Sequence, residues 1–317
     1  MKEVTTKYGV LKGIYFIDQY PDGEIRDCTL NELNELKTLY GNLIPQFTDD
    51  SERRKRSVSL SFYSNGNLKS ISLQNQIELH TSIGTLPAEF ISFYEDGSIK
   101  RILPLNGNLS GYWTEEDEYN LAKDFELNFS FGKFTKKIIG IQFYENGEPK
   151  NITLWPQERV ILQSPIGTAV GRIGISLYPD GKLKSFEPYK PISVDTSIGK
   201  VIAYDINAIG VNGDINSLKF YNDGEVKALV TSNNKIEVTD KNNNKRVYKP
   251  DLKPSLLDEE SMDIIPLTIE FYQNKVRFNN STEHEYDIDQ CKFSIETLPL
   301  QIGGACSGCS TCSGCGI

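Results

Sequence analysis

Six times along this chain a tyrosine is followed, one residue later, by Asp-Gly or Asn-Gly, and then by Lys or Arg three residues past the glycine. The copies are Tyr20-Pro21-Asp22-Gly23, Tyr63-Ser64-Asn65-Gly66, Tyr94-Glu95-Asp96-Gly97, Tyr144-Glu145-Asn146-Gly147, Tyr178-Pro179-Asp180-Gly181 and Tyr221-Asn222-Asp223-Gly224. The basic residues are Arg26, Lys69, Lys100, Lys150, Lys184 and Lys227. Asp-Gly and Asn-Gly favour tight hairpin turns, so each copy is expected to be the tip of an antiparallel β-hairpin. A two-residue type I′ loop would place Ile17 opposite Cys28, Leu60 opposite Ile71, Ile91 opposite Ile102, Ile141 opposite Ile152, Ile175 opposite Phe186 and Leu218 opposite Leu229. Every pair is apolar, whereas a three-residue loop would set the same residues against Asp27, Ser70, Arg101, Asn151, Ser185 and Ala228, mixing the two faces of a half-buried sheet. Pro21 and Pro179 each remove an N–H beside the turn and point to local bulges.

A second signature, Thr or Ser followed two residues on by a residue and Gly, trails four of the hairpins at Thr38-Leu39-Tyr40-Gly41, Thr81-Ser82-Ile83-Gly84, Ser164-Pro165-Ile166-Gly167 and Thr196-Ser197-Ile198-Gly199. Read alone, 29–43 has the leucine spacing of a capped helix, but its counterpart at 72–86 is strand-like, so strands are expected in both. The hairpins at Gly23, Gly66 and Gly97 are echoed at Gly147, Gly181 and Gly224, which implies an internal duplication. A degenerate seventh unit opens at Phe271-Tyr272. The expected organisation is two hairpin-repeat halves, 1–135 and 136–262, then the seventh repeat at 263–303 and a flexible Cys-rich tail at 304–317. Stretches 112–123 and 253–264 interrupt the repeats at equivalent places, and each is expected to hold a short helix started by Thr114 or Ser255. The fold class is all-β: stacked antiparallel hairpins in an extended or solenoid-like sheet, because one hairpin alone buries too little apolar surface to offset the entropy of ordering it.

The Tyr-x-Asp/Asn-Gly-x-apolar-Lys pattern resembles the hairpin motif of bacterial MORN-repeat proteins. That resemblance implies stacked hairpins and a scaffold or protein-binding role.

A net charge of -9 repels phosphate backbones and anionic lipid, so neither a nucleic acid nor a membrane partner is expected. The basic run Arg53-Arg54-Lys55-Arg56 reads as a solvated loop. Met1-Lys2-Glu3-Val4 lacks the apolar core of a signal peptide, and no run reaches the roughly 18 apolar residues of a membrane span. A cytoplasmic setting is expected.

The chemistry-bearing motif is at the end: Cys306, Cys309, Cys312 and Cys315, each separated by two small residues. Thiolates at this interval are soft ligands for an iron-sulfur cluster or zinc. Two other readings stand beside metal binding. The segment after Gly303-Gly304-Ala305 looks like the modifiable core of a ribosomal peptide precursor, and a reduced tail can also stay unliganded. Cys28 and Cys291 read as packing residues, and His80 and His284 as surface residues, since neither histidine has a second ligand at metal spacing. The turn Asp and Asn residues are types that hairpins require, so calcium sites are not inferred from them. No Gly-x-Ser-x-Gly elbow, phosphate loop, dinucleotide fingerprint or His-Glu-x-x-His helix occurs. The expected function is therefore a non-enzymatic scaffold that binds a partner protein and carries a metal on its tail. Alternatives are a substrate whose tail is covalently modified by a maturation enzyme, and a redox or metal carrier.

Overall fold

The turns explain why these residues recur. In the computed structural model, which describes residues 3–49, 52–209, 213–255 and 262–299, all six motifs are hairpin tips. The glycine N–H donates to the tyrosine carbonyl at 2.8 to 3.0 Å, and the tyrosine N–H donates to the carbonyl of the residue after the glycine at 2.8 Å. Only the glycine has positive φ, between 77° and 95°. The side-chain oxygen of each Asp or Asn accepts the N–H two residues ahead, at 2.8 to 3.3 Å. The acidic or amide residue is thus an Asx-turn former rather than a left-handed residue.

This corrects the expected loop. Three residues, not two, separate the paired tyrosine and its partner, in a type I turn closed by a left-handed glycine. Pro21 and Pro179 occupy the first central position of that turn, which their fixed φ suits. Five of the six expected strand pairs are seen to form nonetheless. Ile17 faces Cys28, Leu60 faces Ile71, Ile91 faces Ile102, Ile141 faces Ile152 and Leu218 faces Leu229. A second irregularity restores the register: Phe62 lies opposite Leu68 but Ser61 lies opposite Ser70, leaving Lys69 as the extra residue of a bulge. Arg26, Lys100, Lys150 and Lys227 are bulge residues in the same way. One added residue at the tip and one on the returning strand cancel, so the motif's basic residue sits where the strand must kink.

The chain divides into two compact units, Met1–Glu187 with Ile209–Asn216, and Pro188–Ala208 with Ser217–Ile317. The sequence repeat places its midpoint near 135, whereas this division follows Glu187. In the first unit the hairpins join edge to edge, and the apolar pairs link into one uninterrupted row: Ile17, Cys28, Leu60, Ile71, Ile91, Ile102, Ile141, Ile152 and Ile175. From Cys28 to Ile175 every member is no more than 1% exposed. Full burial of such side chains contributes about 1.5 to 3 kcal/mol each, an amount no isolated hairpin can collect. The second unit repeats the device with Leu218, Leu229, Ile269 and Phe278.

The Thr/Ser signature marks a second set of hairpins. In Thr38–Gly41, Thr81–Gly84, Ser164–Gly167 and Thr196–Gly199 the hydroxyl donates to the glycine carbonyl at 2.6 to 2.8 Å, and the first and fourth residues pair across a two-residue loop. Residues 36–38 and 41–43 are strands, as the repeat comparison indicates, not helix. Two further tips belong to this set, Thr6-Lys7-Tyr8-Gly9 and Phe129-Ser130-Phe131-Gly132. With them the two tip types alternate along the whole array, and the order Gly9, Gly23, Gly41, Gly66, Gly84, Gly97 recurs as Gly132, Gly147, Gly167, Gly181, Gly199, Gly224. In the first unit the second set packs over the apolar face of the sheet. Tyr8 meets Phe62 at 6.3 Å and Tyr40 stacks on Phe93 at 5.6 Å.

Of the two interruptions, the first holds the helix Glu115–Leu121, with Thr114 and Asp117 forming a reciprocal capping box. In the second, Asp251–Pro254 pairs antiparallel with Met262–Ile265, and 256–261, where the helix after Ser255 was expected, lie outside the described residues. The tail 304–317 lies outside them too.

Replacing Gly97 (φ 91°) by Ala forces a side chain into a left-handed position and is expected to cost about 1 kcal/mol or more by urea unfolding. Asp96→Ala, which removes the hydrogen bonds that Asp96 accepts from the Ser98 N–H and hydroxyl, is expected to lower the urea midpoint.

Candidate functional site

The face of the sheet opposite the apolar row is where the motif tyrosines and lysines meet. Each tyrosine follows an inward residue at the hairpin tip, so its ring lies on the outer face, and within each unit the hydroxyls of Tyr20, Tyr63, Tyr94, Tyr144 and Tyr221 reach the next hairpin. Tyr20 donates to the Phe62 carbonyl at 3.0 Å, Tyr63 to Phe93 at 2.9 Å, Tyr94 to Phe143 at 2.9 Å and Tyr144 to Leu177 at 2.9 Å. In the second unit Tyr221 donates to Phe271 at 2.7 Å. The acceptor is always the residue before the next motif tyrosine, so the bonds stitch hairpin to hairpin in one direction.

The bulge carries the basic residue back over that ring. Lys69 lies 5.7 Å from the Tyr63 centroid, Lys100 5.4 Å from Tyr94, Lys150 5.5 Å from Tyr144, Lys184 5.6 Å from Tyr178 and Lys227 5.4 Å from Tyr221. An ammonium over an aromatic face at an exposed site contributes about 0.5 to 1 kcal/mol. The first hairpin departs from the rule, since Arg26 pairs with Asp18 and Asp27 instead. Burial pushes the Tyr63, Tyr94, Tyr144 and Tyr221 hydroxyls above their ordinary pKa, helped by neighbouring carboxylates or tyrosines, so they stay protonated donors.

The seventh repeat ends the pattern differently. Tyr272 donates to Glu285 rather than to a backbone carbonyl, and Glu285 also accepts Lys275 at 2.6 Å and Arg277 at 3.0 Å. Arg277 stands in the lysine's place, 4.7 Å from the Tyr272 ring. Nearby, the Tyr248 and Tyr286 hydroxyls meet at 2.6 Å, and burial, then this hydrogen bond, pushes Tyr248 up to about 12.

The basic run 53–56 does not form the solvated loop its composition suggests. Arg53 and Arg54 are buried. Arg53 makes paired hydrogen bonds to Glu89 (3.0 and 2.7 Å) and to Glu118 (2.8 and 2.9 Å). Trp113 Nε1 and the Gly107 N–H complete the Glu118 shell at 2.6 and 2.7 Å, and the Asn106 N–H bonds Glu89 at 2.8 Å. The node ties the helix and its approach, 104–121, to the sheet. Burial alone would raise the Glu118 pKa, but the hydrogen bonds and charge of Arg53 and the bond from Trp113 outweigh it and hold the group below the usual carboxylate range. Burial opposes the charge on Arg53, and the two carboxylates more than restore it.

Cys28 is a packing residue on the apolar row, its thiol pushed up to about 12 by burial and then by Asp27. Cys291 is half-buried, and burial followed by Asp240 and Asp287 raises its thiol pKa. His80 is exposed and bonded to Thr85 at 2.9 Å; His284 lies edge-on to Tyr248. An open depression of about 490 Å³ lies beside His80, between Tyr40, Ser98, Phe143 and Glu145. Among the described residues no group of three or more His, Cys, Asp or Glu side chains is placed to hold a metal ion. Cys306, Cys309, Cys312 and Cys315 lie outside the described residues. Comparison with protein-family models, curated proteins and solved structures finds no match to the chain.

Below the ordinary glutamate range Glu118 must protonate, so the stability this node supplies is fully present above about pH 4.5 and is lost as pH falls through the depressed folded value. Glu118→Gln is expected to cost roughly 1 to 3 kcal/mol at pH 7 and to flatten the dependence of unfolding free energy on pH below the ordinary glutamate pKa. Parallel curves for the two proteins would remove Glu118 from the account.

Proposed function

We propose that the protein is a non-enzymatic repeat scaffold whose outer face binds a partner protein, and whose Cys306, Cys309, Cys312 and Cys315 tail holds a metal ion or iron-sulfur cluster. The observation that supports the scaffold reading is the row of lysine-over-tyrosine pairs. Tyr63, Tyr94 and Tyr144 are pinned to the next hairpin, so cationic and aromatic groups are presented at one-hairpin intervals with little side-chain freedom left to lose on binding. Tyrosine and rigid cations are the groups that anchor protein interfaces. The likeness of the motif to MORN-type hairpins supports the same role. The described residues contain no helix long and apolar enough to cross a membrane.

The metal reading rests on the thiol spacing, with zinc or a [4Fe-4S] cluster as occupant, in a reducing, cytoplasmic setting. A second reading follows from the same residues: Gly303-Gly304-Ala305 before a Cys, Ser, Thr and Gly segment suits a precursor whose tail is modified by a maturation enzyme while the β-region is recognised. A redox or metal carrier differs in requiring reversible exchange.

Metal analysis and the visible spectrum of anaerobically purified protein, with the intact mass of the tail, separate these readings. Iron with sulfide indicates a cluster, zinc a structural site, and a mass deficit of water or hydrogen indicates modification. Cys309→Ser with Cys312→Ser is expected to abolish metal retention and leave thermal unfolding of the β-region unchanged. Equal metal content in the variant and the parent protein contradicts the ligand assignment.

A further inference from the structure

The sheet of the first unit begins with Ile14–Gln19, which pairs with Ile25–Leu30 along one edge and, among the described residues, carries no strand on the other. Three observations describe what that edge lacks. The apolar row ends here on Ile17, which is half-exposed, while the next member, Cys28, is completely buried. Each later hairpin of the unit receives a tyrosine hydroxyl on the carbonyl before its own motif tyrosine, at Phe62, Phe93, Phe143 and Leu177. Gln19 holds that place in the first hairpin, and no tyrosine reaches it among the described residues. Tyr15 and Phe16, on the outer face, are 68% and 53% exposed.

The backbone shows how the edge can be completed. The Gly13 carbonyl accepts the Asn31 N–H at 2.8 Å, so alternation turns the Ile14 peptide groups outward. Ile14 lies opposite Leu30 and Phe16 opposite Thr29, which leaves Tyr15 as the extra residue of a bulge. The bulge shifts the alternation by one, so that Ile17 and Gln19 also face outward. Ile14 and Ile17 are therefore three apart yet both free to exchange backbone hydrogen bonds. Read in opposite directions, Ile14-Tyr15-Phe16-Ile17 is its own complement: isoleucine meets isoleucine on the inner face, and tyrosine meets phenylalanine on the outer. In that register Asp18 falls opposite glycine and beside a lysine, Lys12 of the partner subunit, so no like charges oppose each other.

We propose that two copies of this chain pair antiparallel through residues 14–17 of the Ile14–Gln19 strand, with Ile14 opposite the partner subunit's Ile17 and Tyr15 opposite the partner subunit's Phe16. The contact is isologous and closed, joining two sheets about a two-fold axis and leaving no strand edge there for further addition. It does not depend on the tail or on the proposed partner.

Sedimentation equilibrium of the full chain, with a non-thiol reductant and a chelator present to silence the tail cysteines, tests this. The expected result is a dimer that becomes monomeric on Phe16→Glu. Since that side chain is half in solvent, its thermal unfolding should match the parent's apart from the dimer contribution. Tyr15→Glu is the second variant should Phe16→Glu fold poorly, and Leu39→Glu, at a side chain 90% exposed elsewhere, should leave the dimer intact. A parent protein that is monomeric up to on the order of 100 µM overturns the proposal. So does a dimer that survives the folded Phe16 or Tyr15 variant.

Discussion

The first unit depends on one constraint: apolar side chains must meet not only across each hairpin but across the seam between hairpins. Cys28 to Leu60, Ile71 to Ile91, Ile102 to Ile141 and Ile152 to Ile175 are seam pairs, and they make the row continuous. A slip of one residue at any seam would turn a strand's apolar side chains to the outer face, where its neighbours present Ser61, Ser70, Ser92, Gln142 and Asn151. The turn chemistry, the bulge and the tyrosine bond all serve that register. The three-residue loop sets one phase, the basic bulge corrects it, and the hydroxyl bond to the next hairpin repeats it.

This division of labour explains why a seven-residue motif can recur while the sequence between copies drifts. Asp or Asn fixes the turn locally, glycine supplies the left-handed closure, lysine fills the bulge and covers the ring, and tyrosine makes the one contact that leaves the hairpin. The outer face is a by-product of the same geometry, since the groups that hold the register are also those displayed.

Much of this was readable in the residues, and the failures have physical causes. Hairpin tips and apolar pairs follow from Asp-Gly, Asn-Gly and alternation. The turn type does not, because an Asx hydrogen bond and positive φ select the same residues, and a bulge at Lys69 restores the pairing that a shorter loop would give. Arg53 and Arg54 look solvated in a charged run, because the partners of Arg53, Glu89 and Glu118, are 36 and 65 residues away, and those of Arg54 include Ser72 and the Leu73 carbonyl, all met only on folding. The tyrosine acceptors are backbone carbonyls and leave no trace in side-chain identity. Thr6 to Gly9 matches the second tip type but precedes the first motif, and Phe129 replaces the hydroxyl at the Gly132 tip. The helix at Glu115–Leu121 was legible from its capping residues.

The seam pairs can be tested by a double-mutant cycle on Ile71→Val and Ile91→Val, read by urea unfolding, beside a control cycle on Ile71→Val and Ile152→Val. Facing residues couple by about 0.5 to 3 kcal/mol, and distant ones by less than roughly 0.5 kcal/mol. Coupling in the first cycle alone is the predicted result. Additive losses for Ile71 and Ile91 would mean that these hairpins do not meet along this row, and the account of the fold would fall with it.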